Sequence, residues 1–134
     1  MQVRVLVRVR PLISEEVGRQ ERSTLLSVDA NNGRISLVNK QGAHSNFAAD
    51  HVCGPSTSQE DIFRLSQLSE LVGAVAEGYN ATVFAYGQTG SGKTFTMEGY
   101  NYTPGPRGPQ VDFETPAEKL GVCLLYTSPS PRDS

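Results

Sequence analysis

The sequence predicts an α/β fold, a mixed and mostly parallel sheet with flanking helices, from three features that follow one another. Apolar residues recur every three to four positions between Ile62 and Val75, which is the period of an amphipathic helix. Residues 81–86 are almost unbroken apolar sequence, typical of a strand buried on both faces of a parallel sheet. A glycine-rich segment and another helical stretch come next, so helices and sheet are expected to form alternating layers.

Composition and charge are those of a soluble globular protein and exclude several classes. The 134 residues include 12 basic and 14 acidic side chains, a formal net charge of −2, which argues against a protein that mainly coats nucleic acid. No apolar run reaches the roughly 18 residues of a membrane span, and the N-terminus lacks the apolar core of a secretory signal. Cys53 and Cys123 are too few for a disulfide framework, so a reduced cytoplasmic setting is expected.

The first half of the chain has the patterns of short strands. Valine alternates with arginine or leucine from Val3 to Arg10, which predicts a strand that ends at Pro11 because proline has no N–H to donate. Residues 25–28 and 35–38 flank an Asn-Asn-Gly sequence and predict a hairpin with a tight turn.

The remaining elements follow from weaker or more local signals. Residues 47–52 predict one further short strand, and residues 14–21 and 99–118 are predicted loops. Thr57 and Glu60 have the spacing of a capping box, which predicts one helix of about five turns from there to the glycine at position 78.

One segment carries a specific chemical motif, G-x-x-x-x-G-K-[ST], the P-loop. Its residues are Gly87, Gln88, Thr89, Gly90, Ser91, Gly92, Lys93 and Thr94. In such a loop the glycines let backbone N–H groups point at a polyphosphate, the lysine binds the β- and γ-phosphates, and the threonine hydroxyl is a ligand for Mg²⁺. An accidental glycine-rich turn is the alternative, but the motif lies between a predicted buried strand and a helix, where its mechanism requires it.

Two separated motifs resemble the start of a kinesin motor domain. They are Val7-Arg8-Val9-Arg10-Pro11 and residues 78–94, followed by Thr96-Met97-Glu98-Gly99. The resemblance runs from Val3 to about Gly99 and includes Gly121-Val122. It implies a P-loop NTPase fold, binding of ATP with Mg²⁺, and a cytoplasmic motor that couples ATP hydrolysis to movement along microtubules of the cytoskeleton. Neither a membrane nor a nucleic acid is an expected partner.

The same resemblance implies a site for the adenine base. Arg8, Arg10 and Pro11 would contact the base, and Phe95 would cover it from the other side. The alternative for the two arginines is a solvated basic face on an edge strand, although an arginine plane can stack on an aromatic ring. The pair Glu15-Glu16 is expected to be a solvated loop, and Cys53 a small packed side chain. His44 and His51 are expected at the surface.

The sequence lacks the groups that complete phosphoryl transfer in kinesins. These come from segments resembling N-x-x-S-S-R-S-H and D-L-A-G-S-E, and neither pattern occurs here. Residues 1–122 are therefore expected to be the truncated N-terminal part of a kinesin-like motor domain, inactive alone and without a catalytic residue, which reaches microtubules through missing elements. Residues 123–134 resemble translated adapter or vector sequence; a genuine disordered Ser/Pro-rich tail is the alternative.

Two other functions remain open. One is a truncated, noncatalytic nucleotide-binding fragment without the switch and microtubule-binding elements. The other is a different P-loop NTPase, such as a small nucleotide kinase or a nucleic-acid-dependent ATPase. The Arg-x-Arg-Pro strand and the Tyr-Gly-Gln-Thr start of the loop count against the second, since a generic P-loop requires neither.

Overall fold

The computed structural model describes residues 2–18, 25–99, 102–106 and 108–111. The chain divides into two compact units, Met1–Thr57 and Ser58–Ser134. In the first unit the elements are β1 (Leu6–Arg8), α1 (Ser14–Gly18), β2 (Leu25–Asp29), β3 (Arg34–Val38), β4 (His44–Ala48) and β5 (His51–Cys53). In the second they are α2 (Gln59–Leu65), α3 (Leu68–Ala76), α4 (Lys93–Met97), β6 (Tyr102–Gly105) and β7 (Gly108–Val111).

The first predicted strand is confirmed at its centre. β1 has three residues and pairs in parallel with β5, with Arg8 opposite Cys53. The backbone pairing continues beyond β1 on both sides, because the Val9 N–H donates to the Cys53 carbonyl at 2.9 Å and the Val5 carbonyl accepts from His51 at 3.3 Å. The alternating pattern therefore predicted the strand, and pairing with β5 decides its length.

The predicted hairpin is confirmed as β2 and β3, and β4 extends it into a three-stranded antiparallel sheet. The connecting loop is longer than a two-residue turn, because Asp29 and Arg34 form the last pair. Gly33 has φ +61°, and the Asn32 N–H donates to the Asp29 carboxylate at 3.1 Å. The turn thus needs one left-handed residue, which the glycine supplies.

The strand predicted at residues 47–52 is wrong in its bounds, since β4 ends and β5 begins inside it. The chain leaves the antiparallel sheet between the two strands. There the Ala49 N–H donates to the Gly33 carbonyl at 2.9 Å, and the Asp50 carboxylate accepts from the Val5 N–H at 2.7 Å. These bonds turn the chain from β3 towards β1. The predicted strand at 47–52 therefore covers the end of β4 and the start of β5.

The core of the first unit is small and includes side chains of β3 and of β5, which contacts both β2 and β3. Its buried side chains include Ile35, Val52 and Cys53, so the expectation of a packed cysteine is confirmed. His44 is exposed and His51 is half-buried. The expectation of a surface position thus holds for His44 and holds only in part for His51.

The loop expected at residues 14–21 is wrong at its start, where the structure has the helix α1. The Glu16 carboxylate accepts the Ile13 N–H at 3.0 Å, which satisfies one of the N–H groups left unpaired at a helix start. Residues 19–21 lie outside the described part of the chain.

In the second unit, the single helix predicted before Gly78 is two helices, α2 and α3. Gln67 separates them with φ +54°, in the left-handed region that interrupts a helix. The Ser66 hydroxyl also donates to the Phe63 carbonyl at 2.8 Å, a local bond that competes with helix continuation. The glycine stop is confirmed, because the N–H groups of Gly78 and Tyr79 close the end of α3 at 3.0 Å each.

The helix start is one residue later than the predicted capping box. Ser58, not Thr57, is the N-cap, and its hydroxyl oxygen accepts from the Asp61 N–H at 3.1 Å. Asp61 therefore takes the place predicted for Glu60. The predicted separation of three residues is correct, but Ser58 supplies the cap in place of Thr57.

The buried strand predicted at residues 81–86 is wrong in this structure. These residues have no regular secondary structure and are all exposed, including Phe84 at 79% and Tyr86 at 95%. A buried strand needs backbone partners along its edges, and none of the described strands pairs with this segment. The apolar run therefore lies at the surface.

The expectation of a mostly parallel sheet is also wrong for the described residues, where β1–β5 is the parallel pair and the other ladders are antiparallel. The loop predicted at 99–118 contains the antiparallel pair β6 and β7, with Tyr102 opposite Val111. The predicted boundary after residue 122 lies outside the described residues. None of the described helices is both long and apolar enough to cross a membrane.

Candidate functional site

The glycine-rich segment forms a loop that turns back on itself before α4. Gly90 has φ +81° and Gly92 has φ +97°, values that side chains with a Cβ rarely adopt. The Ser91 N–H donates to the Gln88 carbonyl at 3.1 Å and closes a turn inside the loop. The predicted helical stretch after the loop is confirmed, since α4 starts at Lys93 with Gly92 as its N-cap.

Lys93 connects the two ends of this loop. Its ammonium Nζ donates to the Gly87 carbonyl at 2.6 Å, and the residue is half-buried. The loop is also tight at its start, because a Cβ at Gly87 would lie 2.5 Å from the Ser91 hydroxyl oxygen. The positive charge is thereby held against the loop backbone, where oxygen atoms of a phosphate could accept from the same ammonium.

The other polar residues of the loop are exposed, among them Gln88, Thr89 and Ser91. Thr94 follows Lys93 directly and is exposed as well. The described residues contain no group of three or more His, Cys, Asp or Glu that could hold a metal ion. Mg²⁺ at a polyphosphate needs few protein ligands, because waters and phosphate oxygens complete its shell. A loop with one threonine hydroxyl therefore fits a magnesium polyphosphate.

Arg8 lies half-buried at the end of β1. Its guanidinium donates to the Thr57 carbonyl at 3.4 Å. Burial lowers the pKa of Arg8, and the neighbouring Cys53 opposes that change. Arginine stays charged in proteins even so. Arg8 is thus a charged side chain held partly out of water, in contrast to the solvated basic face that was its alternative.

Arg10 forms a bidentate ion pair with Glu16. Its two terminal nitrogens donate to the two carboxylate oxygens at 2.9 and 2.6 Å. The hydrogen bond from Glu16 raises the pKa of Arg10. The expectation of a solvated Glu16 is therefore wrong, because the carboxylate accepts hydrogen bonds from the Arg10 guanidinium and from the Ile13 N–H before α1. Pro11, next in the chain, is exposed.

Sequence reasoning missed this role of Glu16, although a signal was present. A glutamate at the third position of a short helix is where a side chain reaches back to the helix start. Arg10 lies six residues earlier in the chain. The spacing alone does not predict that the Glu16 carboxylate also forms an ion pair with Arg10.

Phe95 is the third residue of α4 and is 37% exposed. Its carbonyl accepts from the side-chain amide of Gln59 at 2.6 Å. Gln59 was not among the predicted site residues. Its signal is positional, since it lies one helical turn before Ile62 on the apolar face of α2, where a polar side chain is out of place.

The predicted site residues fall into two groups. Residues 87–95 are one continuous loop and helix in the second unit. Arg8, Arg10 and Pro11 lie in the first unit, at and just after β1.

Comparison with known proteins agrees with both motifs. The family model of the kinesin motor domain matches residues 8–117. The Kinesin-like protein KIN-14M of Arabidopsis thaliana is 43% identical over 109 residues, covering 79% of this chain and 14% of the relative. Kinesin-like protein KIN-5A of Oryza sativa subsp. japonica is 43% identical over 101 residues, covering 72% and 9%. Kinesin-like protein KIN-14R of Arabidopsis thaliana is 41% identical over 114 residues, covering 84% and 10%. The chain thus spans a seventh or less of the length of these relatives.

Proposed function

Because this chain belongs to the kinesin motor domain family, we propose that it is the nucleotide-binding part of a motor that couples ATP hydrolysis to movement along microtubules. Family membership confirms the resemblance drawn from the Arg-x-Arg-Pro strand and the glycine-rich loop. The proposed ligand is ATP with Mg²⁺, and the proposed partner of the whole protein is the microtubule of the cytoskeleton.

The observation that supports nucleotide binding best is the loop closed by Lys93. Two left-handed glycines curl residues 87–92, and the lysine ammonium lies 2.6 Å from the carbonyl at the start of the loop. In the proposed complex the backbone N–H groups of the loop hold the phosphates, and Lys93 binds the β- and γ-phosphates. Thr94 provides its hydroxyl to Mg²⁺.

The proposed base-binding residues are Arg8, Arg10, Pro11 and Phe95. The ion pair supports this role for Arg10. Glu16 fixes the orientation of the planar guanidinium, so Arg10 loses less side-chain freedom on binding the base. Bound Mg²⁺ would neutralise charge that develops on the phosphates during transfer. The residues of this chain would bind and orient the nucleotide.

The 134 residues do not contain the two patterns that organise Mg²⁺ and the attacking water in kinesins. We therefore propose that ATP hydrolysis and microtubule binding belong to the complete protein, and that these residues alone bind the nucleotide without turning it over. The noncatalytic alternative then applies to this stretch when it is isolated, while the parent protein is an ATP hydrolase.

The test compares Lys93→Ala with Lys40→Ala, an exposed lysine between β3 and β4 that serves as the matched control. Mg-ATP binding to the 134-residue chain is measured by isothermal titration calorimetry. We expect Lys93→Ala to weaken binding at least about tenfold, because a charged hydrogen bond to phosphate is lost, and Lys40→Ala to leave it unchanged. In the complete protein Lys93→Ala should abolish ATP turnover. Equal affinities for the wild type and Lys93→Ala would show that the loop does not bind phosphate.

A further inference from the structure

Gln59 is a buried polar side chain in a place where α2 otherwise presents apolar residues. Only 4% of the residue is exposed, and Ile62 one turn later is 2% exposed. The Gln59 amide Nε2 donates to the Phe95 carbonyl at 2.6 Å. Because a carbonyl oxygen can only accept, the NH₂ group must be the end that faces Phe95. A buried amide that lost such a partner would destabilise the fold.

The acceptor belongs to the helix that carries the phosphate-binding lysine. α4 has five residues, and Phe95 lies two positions after Lys93. A helix this short is not stable by itself in water. None of its residues is buried, so apolar packing contributes little to its position. Hydrogen bonds from neighbouring elements therefore matter more for α4 than for a packed helix.

We propose that Gln59 is a positioning residue for the phosphate-binding loop. Its amide holds the backbone of α4 against the start of α2 and so sets where Lys93 and Thr94 stand at the end of the loop. This inference rests on the proposed function, because it assigns Gln59 a part in phosphate binding. It adds a residue from outside the P-loop motif, 36 positions earlier in the chain.

The test separates positioning from stability by comparing two changes in α2. Gln59→Leu removes the donor and keeps similar volume. Ile62→Val is the matched control, since it trims a buried side chain one turn away in the same helix and lowers stability without removing a hydrogen-bond donor. Affinity for magnesium tripolyphosphate and for Mg-ATP is measured on the 134-residue chain at a temperature where each variant is fully folded by circular dichroism.

We expect Gln59→Leu to weaken binding of tripolyphosphate and of ATP by about three- to tenfold, the effect of one hydrogen bond, while Ile62→Val binds both as the wild type does. Wild-type affinity in Gln59→Leu, or an equal loss in Ile62→Val, would overturn the proposal. If Gln59→Leu does not fold, Gln59→Met takes its place, since its flexible thioether fills the site without a donor.

A second measurement distinguishes failure of this inference from failure of the proposed function. Hydrogen exchange of the Thr96 and Glu98 amides reports on α4, because they donate to Gly92 at 2.9 Å and to Thr94 at 2.8 Å. Faster exchange in Gln59→Leu than in Ile62→Val shows that Gln59 holds α4. If the wild type binds neither ATP nor tripolyphosphate, the proposed function fails, and the role of Gln59 in phosphate binding fails with it. If the wild type binds both and exchange and affinity are the same in the two variants, only the positioning role is wrong.

Discussion

Arg10 and Glu16 form a two-pronged ion pair, with donor–acceptor distances of 2.9 and 2.6 Å, at the point where β1 gives way to α1. The same carboxylate accepts the Ile13 N–H at 3.0 Å. One side chain therefore orients the arginine and caps the helix. The pair is partly shielded, with side-chain exposures of 31% for Arg10 and 20% for Glu16, so water weakens it less than a fully exposed pair.

Replacing Glu16 with Gln should weaken binding of adenosine nucleotides and leave phosphate binding unchanged. The arginine would lose its charged partner and with it the fixed orientation that the proposed base contact requires. We expect ATP to bind about three- to tenfold more weakly and tripolyphosphate to bind as before, measured by calorimetry on the 134-residue chain.

The matched control for this change is Glu77→Gln, an exposed glutamate at the end of α3. It removes the same charge at a place remote in sequence from Arg10. Unchanged ATP binding in Glu16→Gln would contradict a positioning role, and tighter binding would indicate instead that Glu16 competes with the base for the guanidinium. A parallel loss for ATP and tripolyphosphate would indicate general damage instead.

Two glycine-to-alanine changes should shift stability in opposite directions. At Gly33 the backbone has φ +61° and a Cβ would meet the Ala49 carbonyl oxygen, so Gly33→Ala should destabilise by about 1–3 kcal/mol. Gly73 lies inside α3, and apart from the helix's own backbone and the chain neighbours no atom lies within 4 Å of an added Cβ, so Gly73→Ala should stabilise by about 0.5–1 kcal/mol. Urea denaturation measures both; a stabilised Gly33→Ala would refute the turn geometry, and a destabilised Gly73→Ala would refute the expectation for α3.

The free energy of unfolding should fall on acidification, because two aspartates bind protons less readily in the folded protein than in the unfolded chain. Hydrogen bonding from Arg64 lowers the pKa of Asp61, and hydrogen bonding from the Asn32 side chain lowers the pKa of Asp29. Since both pKa values lie below the unfolded value of about 3.9, the stabilisation is complete well above that pH. It is lost as the pH falls through the lower folded values.

Urea denaturation at pH 7, pH 5.5 and pH 2.5 tests this expectation. The free energy of unfolding should be similar at the first two values and clearly lower at the third. The double variant Asp29→Asn with Asp61→Asn should depend on pH less steeply than the wild type in the same interval. An identical dependence in the two proteins would mean that these carboxylates are not the groups responsible.

Local patterns predicted local structure well in this chain. The Asn-Gly hairpin, the helix that starts at Lys93 and the glycine stop at Gly78 are all present, because each depends on a few neighbouring residues. Predictions that needed distant partners were less successful. The strand at 81–86 is absent because no described strand pairs with it, and the predicted single helix breaks at Gln67.

The candidate site divides in the same way. By itself the sequence determined the glycine-rich loop, because Gly90, Gly92 and Lys93 act through backbone conformation and charge within a few positions of one another. Only the tertiary structure decided the supporting contacts of Glu16 and Gln59. Gln59 meets Phe95 across 36 positions, and its type and spacing mark a polar side chain on an apolar face without indicating its partner. A hydrogen bond between distant segments depends on the path of the chain between them, and no periodicity or motif in the sequence encodes that path.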